Sequence, residues 1–526
     1  MARTKTTTTP ELQEAPFEAI RLEPIRPNNE SGDNVPSRQS QRVFEAMPSA
    51  SPASRLLITS LLFISNFVTF AGGLAFSKDL GREAGPGLAN WMPASYPSLT
   101  QSAFVLITGR LGAVHGHKCL ALLGCLIFAV FSLVNAFCKT YGSFIAARAL
   151  TGVGGGFFMP NAVSMITIMV PPGRSRNLLL GFFAASPPLG GVLGALLAGV
   201  FNESVGWTWL FVILAASTAL ILAWLAYLAP TETPVDKDGK IDYIGAFLGL
   251  GSLLLFNVVC NQAPSVGWRT PYLIACLIVT ALLFVAFLVW EKKFATEPIM
   301  PLSIFKTPSF SALVWVVLFS YMGIGITLWY WVSWQQVLRH ISVLQTGINF
   351  IPFGIAALIA VFLAAWLISR VAAQWIMAVG VSVVLGASLL LATMPVEQNY
   401  WAQTFPAMVL CGFCPDFVFV AAQVIASNSV SRRQQGVASS LIGTLNLYGN
   451  SLGLGFAATI ETEIVKGSND EAKGYRAALC FAAGLALVGL ILDIAFVRMP
   501  KDDREGWEDS VDEALEPEAI ATAVST

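Results

Sequence analysis

Charge is scarce in this chain. Only 12% of its 526 residues are Asp, Glu, Lys or Arg, about half the ~25% of a soluble domain. Histidine is scarcer, three in all, and no cluster of His, Cys and acids has metal-ligand spacing. That leaves no candidate metal site, cofactor site or catalytic constellation, and argues against an enzyme. No G-x-x-x-x-G-K-[ST] stretch occurs, so the chain lacks the phosphate loop that an ATP-driven pump needs in itself or in a partner. Any uphill work would draw on an ion gradient, with no ATPase partner. The net charge of -1 and the absence of a long basic run give no hold for nucleic acid. No secretory signal pattern opens the sequence. The eight cysteines lie in or beside apolar runs. They read as packing residues, the C-x-x-C of Cys411 and Cys414 included.

What the chain has instead is apolar length, 55% hydrophobic residues. Runs of about 20 recur along most of it, and in a bilayer core such runs are helices. We read fourteen spans, near 55–76, 91–111, 119–138, 141–169, 176–201, 207–229, 242–260, 271–290, 309–332, 344–369, 374–394, 400–427, 434–459 and 475–497. The fold class is therefore an all-α polytopic membrane protein, with the lipid bilayer as its surroundings. Residues 1–54 and the acidic 499–526 read as disordered tails. An even span count puts both termini on one side. Arg55, Arg110, Lys118, Arg174, Arg176, Lys292, Lys293, Arg432 and Arg433 flank that side. With Lys237, Lys240, Lys306, Arg370, Arg498 and Lys501 they make fifteen against eight on the other side, Lys78, Arg82, Lys139, Arg269, Arg339, Lys466, Lys473 and Arg476, so both termini are expected in the cytoplasm.

Two hydrophilic linkers divide the spans. PTETPVDKDGKIDY (230–243) follows the sixth and EKKFATEPIMPLSIFKTP (291–308) the eighth. The organisation is six, two and six: bundles at 55–229 and 309–498, joined by 230–308 with two extra spans. A duplicated six-helix unit is the mark of a transporter.

Four stretches invite function. GRLGAVHGHK (109–118) is a cytoplasmic turn carrying Gly109, Arg110, Gly116, His117 and Lys118. It reads as a topology signal or as a hinge against a neighbouring helix. ARALTGVGGGFFMPN (147–161) buries Arg148 about 10 Å inside the fourth span. Gly152, Gly155 and Met159 share its face, for close helix approach or a cavity. In the fifth span, Ser186, Gly190, Gly194 and Ala198 recur every four residues and let helices approach. Gly191 follows Gly190, and Pro187 and Pro188 should kink the helix. LWYWVSWQQ (328–336) ends the ninth span with Trp329, Tyr330, Trp331, Trp334, Gln335 and Gln336. These form an interface belt or a cavity lining.

Taken together, GRLGAVHGHK, the R-A-L-T-G around Arg148, and SPPLGG resemble the signature motifs of the major facilitator superfamily. SPPLGG is similar to the antiporter motif G-P-x-x-G-G, with Ser186 for its first glycine. Fourteen spans resemble the drug:proton antiporter branch. QVLRHISVLQTGINFIP (336–352) and SNSVSRRQQGVASSLIGTLNLYGNSLGLGFAATIE (427–461) look like fungal members related to aminotriazole- and boron-resistance exporters. The resemblance covers residues 55 to 498. It implies alternating access around a central cavity, closure governed by the motif glycines and basic residues, and an arginine at Arg148 that assists proton transfer. It also implies a cavity glutamine near Gln335 and Gln336. Two positions depart from it. Ala113 stands where the first motif usually has an acid, and the first span offers Asn66 where many members have one.

Those departures give weight to Asp416, in LCGFCPDFVFVAAQVIAS (410–427). Gly412, Gln423 and Ser427 fall on its helical face, and a polar stripe on an apolar helix points to an interior. Holding a proton on an aspartate at pH 7 costs about 4 kcal/mol, and burying its charge costs a similar amount. A conformational change can then tip the proton on or off. The rival is an acid paired with a base or with backbone donors. Ser439, Asn446, Asn450 and Gly453 form a further stripe on the thirteenth span, for substrate or for interhelical hydrogen bonds.

The expectation is a monomeric exporter of a small organic molecule by proton antiport, in the plasma membrane or the vacuolar membrane. Asp416 and Arg148 would couple protons. Asn66, Trp329, Trp331, Gln335, Gln336, Gln423, Asn446 and Asn450 would meet substrate. The alternatives are uptake of a polar solute or ion, and a non-transporting sensor on the same fold.

Overall fold

Apolar residues that must satisfy their own backbone in lipid have one economical solution, the α-helix, and the apolar runs among the described residues take it. The computed structural model describes residues 52–498 apart from 72–91, 171–173, 231–233, 235–236, 238–239, 296–299, 301–303, 306–307, 369, 430–431 and 469. The expected tails and the basic residues Lys78 and Arg82 lie outside the described residues, save the last residues before 55.

The helices are α1 (Pro52–Ala71), α2 (Met92–His115), α3 (His117–Phe137), α4 (Tyr141–Met169), α5 (Arg174–Ser204), α6 (Thr208–Leu228), α7 (Tyr243–Val266) and α8 (Pro271–Lys293). There follow α9 (Pro308–Ser333), a π turn (Trp334–Leu338), α10 (Val343–Asn349), α11 (Ile351–Leu367), α12 (Ala373–Ala392), α13 (Thr404–Ser429), α14 (Arg432–Ser468) and α15 (Glu471–Phe496). Among the described residues, eleven helical stretches are long and apolar enough to cross a membrane, α10 and α11 counting as one. Leu282 and Phe247 are 65% and 71% exposed, which a water-facing surface would not favour and a lipid-facing one does.

Helices α1, α2 and α14 fall outside that set. Thr100, Gln101 and Ser102 interrupt α2, and Asn446, Asn450 and Ser451 interrupt α14. Those two helices pack along each other, so much of their polar surface meets protein rather than lipid. Helix α14 also outruns its expected end at 459, continuing to Ser468. The acids at 461 and 463 stopped the apolar pattern without stopping the helix. Helix α5 continues through Pro187 and Pro188.

Helices α1–α6 pack on one another, chiefly α3 and α2 on α4, α1 on α5 and α6, and α3 on α6. Helices α9–α15 do likewise, with α12 and α11 on α13 and with α9 on α14 and α15. Two seams join the groups: α2 along α14, and α5 along α10 and α11. Small residues make the second seam. A Cβ at Gly347 would meet the Ala195 carbonyl at 2.9 Å, and one at Gly354 would meet Val192 at 2.8 Å. Phe182 and Phe362 meet edge to face at 5.6 Å. Helix α7 packs on both α14 and α2, while α8 leans on α7.

Candidate functional site

Asp416 sits near the middle of α13, about 18 Å from its first residue and ~20 Å from its last. It is 3% exposed, and its Oδ2 is buried without a hydrogen-bond partner. Neighbouring glycines clamp the helix there. A Cβ at Gly412 would run into the Phe353 carbonyl and Ala356 of α11, and one at Gly380 would press on Val418 and Phe417. Pro415 cannot donate a backbone hydrogen bond, while its own carbonyl accepts from Tyr321 Oη of α9 at 2.9 Å. The acid is therefore held rigidly between three helices, with one oxygen left unsatisfied.

The rest of its stripe divides. Gly412 is spent on packing. Gln423 Nε2 donates to the Ser439 carbonyl at 3.2 Å and its Oε1 accepts from Ser439 Oγ at 2.5 Å, tying α13 to α14. Asn450 Nδ2 donates to the Asn446 carbonyl at 2.9 Å. These two amides thus pair along α14. Gln423, Asn446 and Asn450 remain partly accessible.

The aromatic stretch that closes α9 and opens the π turn is packed inside the protein and is no interface belt. Tyr330, Trp331, Trp334 and Gln335 are all buried in the core of the second helix group. Trp331 stacks on Phe350 at 5.4 Å. Neither Nε2 nor Oε1 of Gln335 has a partner. Trp329 and Gln336 are half-buried.

In the first group, Arg148 on α4 is buried, with its guanidinium 5.7 Å from the Phe211 ring of α6. The glycines four and seven residues on are spent on helix approach. A Cβ at Gly152 would overlap Thr100 and Pro97 of α2, and one at Gly155 would crowd Gln101. Close approach to α2 is what that glycine run provides. Arg148 and Asp416 lie in different helix groups. Asn66 and Ser186, by contrast, are brought together: Asn66 Nδ2 donates to Ser186 Oγ at 2.6 Å, and Ser186 Oγ donates to the Phe183 carbonyl at 2.6 Å. Both residues are fully buried, and the serine in the glycine's place is the partner of the asparagine in the acid's place. Val192 follows Gly190 and Gly191 into the seam against Gly354.

The stretch 109–118, expected as a turn, is helical except at Gly116, where α2 ends and α3 begins, and it meets four neighbours. Gly116 has φ 98, a value that favours glycine. His117 Nδ1 lies 2.8 Å from Asn161 Oδ1 of α4. Asn161 Nδ2 donates to the Phe157 and Thr108 carbonyls, so its oxygen faces the imidazole, and Nδ1 carries the proton. Lys118 Nζ reaches the Ala226 and Ala229 carbonyls at the end of α6, where a cation complements the helix dipole. Arg110 Nη2 donates to the Lys240 carbonyl at 3.3 Å. Gly109 faces Ser440 of α14 across the first seam.

Three features escaped the sequence reading. Asn161 orders His117. Glu461, on the part of α14 beyond its expected end, accepts from Tyr330 Oη at 2.7 Å, and Tyr330 meets Tyr475 edge to face at 5.4 Å. Asn257 Oδ1 on α7 accepts from Ser451 Oγ of α14 at 2.9 Å and from Asn261 Nδ2 at 2.6 Å. An N-x-x-x-N spacing inside an apolar span was the available signal for that last pair.

Comparison with known proteins agrees with this architecture. Residues 56–454 match the family model of the Major Facilitator Superfamily. The efflux pump terJ of Aspergillus terreus is 32% identical over 77% of this chain and 80% of its own length. The low affinity ammonium transporter of Saccharomyces cerevisiae is 32% identical over 77% and 80%. The aminotriazole resistance protein of the same yeast is 30% identical over 77% and 76%. Among solved structures, a bacterial homologue of the human lysosomal transporter Spinster superposes with a TM-score of 0.58 at 16% identity, covering 86% of this chain and 100% of that one. The last likeness speaks for the fold. The resemblance to drug-efflux members stands, and the relatives are transporters rather than enzymes. The chain is an integral membrane transporter of the Major Facilitator Superfamily.

Proposed function

We propose that the protein exports a small organic molecule by proton antiport, alternating between inward- and outward-open forms. The observation that carries this reading is Asp416, a mid-helix carboxylate with a buried oxygen that has no partner. Such a group is poised to gain or lose a proton when its surroundings change. An efflux pump and a resistance protein among the relatives support the outward direction and a small organic cargo. Arg148 assists from the first bundle, and Trp329, Gln336, Gln423, Asn446 and Asn450 meet substrate. In this conformation Trp331 and Gln335 are closed off, and they join the cavity when the seams part. All fourteen helical rods span the membrane, α1, α2 and α14 included, as six, two and six with both termini cytoplasmic. The protein works as a monomer in the plasma membrane with no cofactor and no ATPase partner.

The test compares metabolites of cells and medium, with and without the protein, each with and without a protonophore. A compound enriched outside only when protein and gradient are both present supports export by antiport, and Asp416→Asn should abolish that enrichment. Enrichment that ignores the protonophore sinks the coupling.

A second reading is uptake or facilitated transport of a polar solute or ion. It is favoured by the ammonium transporter among the relatives and by Asn66, whose amide is tied to Ser186 where an acid would titrate. Accumulation of a compound inside cells would select it.

A further inference from the structure

We infer that α7 is fastened to the second bundle and, with α8, travels with it while α2 slides past. The travel rests on the alternating-access reading above; the fastening does not.

Helix α7 packs on α14 and on α2, and the two contacts differ in kind. Against α14 the contact is polar and close. Asn257 Oδ1 accepts from Ser451 Oγ at 2.9 Å. Asn261 Nδ2 donates to Asn257 Oδ1 at 2.6 Å and to the Ser451 carbonyl at 3.3 Å. One turn before, Tyr448 Oη donates to the Leu253 carbonyl at 3.2 Å. One turn beyond, a Cβ on Gly455 would meet the Cys260 carbonyl at 2.8 Å. The pairings climb both helices together, so α7 and α14 run parallel here over about two turns. Asn257, Asn261 and Ser451 are fully buried. A slip of one helix along the other would take them off their partners with no water at hand, which is costly. It would also carry a larger side chain into the place where Gly455 lets the backbones approach.

Against α2 the shared core is apolar. Leu99 joins a buried cluster with Cys260 whose other members come from α7, α9, α14 and α15. Apolar contact is non-directional, so such surfaces slide without stranding a donor. Arg110 of α2 reaches the Lys240 carbonyl at 3.3 Å, but Lys240 lies in the non-helical connection ahead of α7. That bond holds the connection rather than the helix. Helix α8 follows α7, because Trp290 Nε1 donates to both oxygens of Asp242, the N-cap of α7, at 2.9 and 3.0 Å. Phe287 of α8 also covers Gly249 of α7. The seam between α2 and α14 therefore keeps α7 along one side as it opens.

The experiment measures spin–spin distances in the full-length protein, with nitroxides placed through an encoded keto amino acid so that the native cysteines stay. Three exposed sites serve: Val266 at the end of α7, Lys466 near the end of α14 and Lys139 after α3. Between acidic and neutral pH, Lys139–Lys466 should change by roughly 5 Å, the scale of a one-turn shift. Val266–Lys139 should change with it, and Val266–Lys466 should stay one narrow distribution. A shift of Val266–Lys466 with pH overturns the proposal. A Lys139–Lys466 distance that never changes sinks alternating access, and the fastening is then decided by the variants. Asn257→Leu combined with Ser451→Ala should broaden the Val266–Lys466 distribution at every pH. Should that variant not fold, Ser451→Ala alone should broaden it to a smaller extent. A distribution as narrow as the wild type's in the variant overturns the proposal whether or not the bundles move.

Discussion

Replacing Asp416 by asparagine removes a charge and keeps the shape of the side chain. At pH 7 the wild type carries one of two burdens. It holds a proton, at about 4 kcal/mol, or it buries a charge at the helix centre, at about 2.5–3.5 kcal/mol on insertion scales. The variant carries neither, though its amide still costs roughly 1–3 kcal/mol to bury. The difference makes Asp416→Asn more stable than the wild type by about 1–2 kcal/mol, whereas an average substitution destabilises by about 1 kcal/mol. An acid held in a buried ion pair predicts the opposite, a loss of about 3–5 kcal/mol from the abandoned partner. Thermal unfolding of the purified proteins separates the two cases. Transport across liposomes adds a second reading: export driven by a pH gradient should fall to background, while exchange of labelled for unlabelled cargo without a gradient persists. A variant destabilised by 3 kcal/mol or more, or one that still exports on a gradient, refutes the reasoning.

Ser186→Ala strands the Asn66 amide in a fully buried site and should cost about 1–3 kcal/mol, whereas combining it with Asn66→Leu should cost less than the sum of the two changes in the same unfolding assay. Gly412→Ala drives a methyl into the backbone of α11 at Phe353 and should cost roughly 1–3 kcal/mol or more, with loss of folded protein measured by fluorescence-detected size exclusion. Tyr330→Phe removes the donor to Glu461 and should cost about 1.5–3 kcal/mol, and an unchanged melting temperature would show that the bond contributes nothing. Tyr400, in the connection between α12 and α13, donates to the Asn349 carbonyl at 2.8 Å, and burial pushes its hydroxyl up to about 12. Its folded value exceeds the unfolded ~10, so its stabilisation is intact below pH 10 and is lost as pH rises through 12. Tyr400→Phe should lie about 1 kcal/mol below the wild type at pH 7, with the gap closing in that alkaline window.

Helices were legible wherever apolar pattern and helix limits coincide, as for Tyr141–Met169, expected and observed at the same residues. They were misjudged where the two part company. Glu461 ended the expected thirteenth span, yet a helix needs only its own backbone hydrogen bonds, and tertiary packing carried α14 on to Ser468. Asp416 stood out because an acid alone in an apolar run has to be explained. Its surroundings did not, because they come from other helices: Tyr321 lies 94 residues from Pro415 and Ser186 lies 120 from Asn66. Trp331 shows the same limit. Position near a span end suggested an interface, and only the packing of Phe350 against it revealed a core residue. The residues most firmly tied to chemistry by the sequence, Asp416 and Arg148, lie in separate bundles, and no spacing along one chain could have placed them together or apart.

The most direct test of the account follows protons. The protein is reconstituted in liposomes loaded with a pH-sensitive dye and with the compound that metabolite profiling identifies as cargo. An imposed pH gradient should drive release of the compound, with a matching counterflow of protons seen by the dye. Asp416→Asn should show neither. Cargo release with no proton signal, or an unaltered proton signal in Asp416→Asn, would contradict the assignment of Asp416 as the coupling carboxylate.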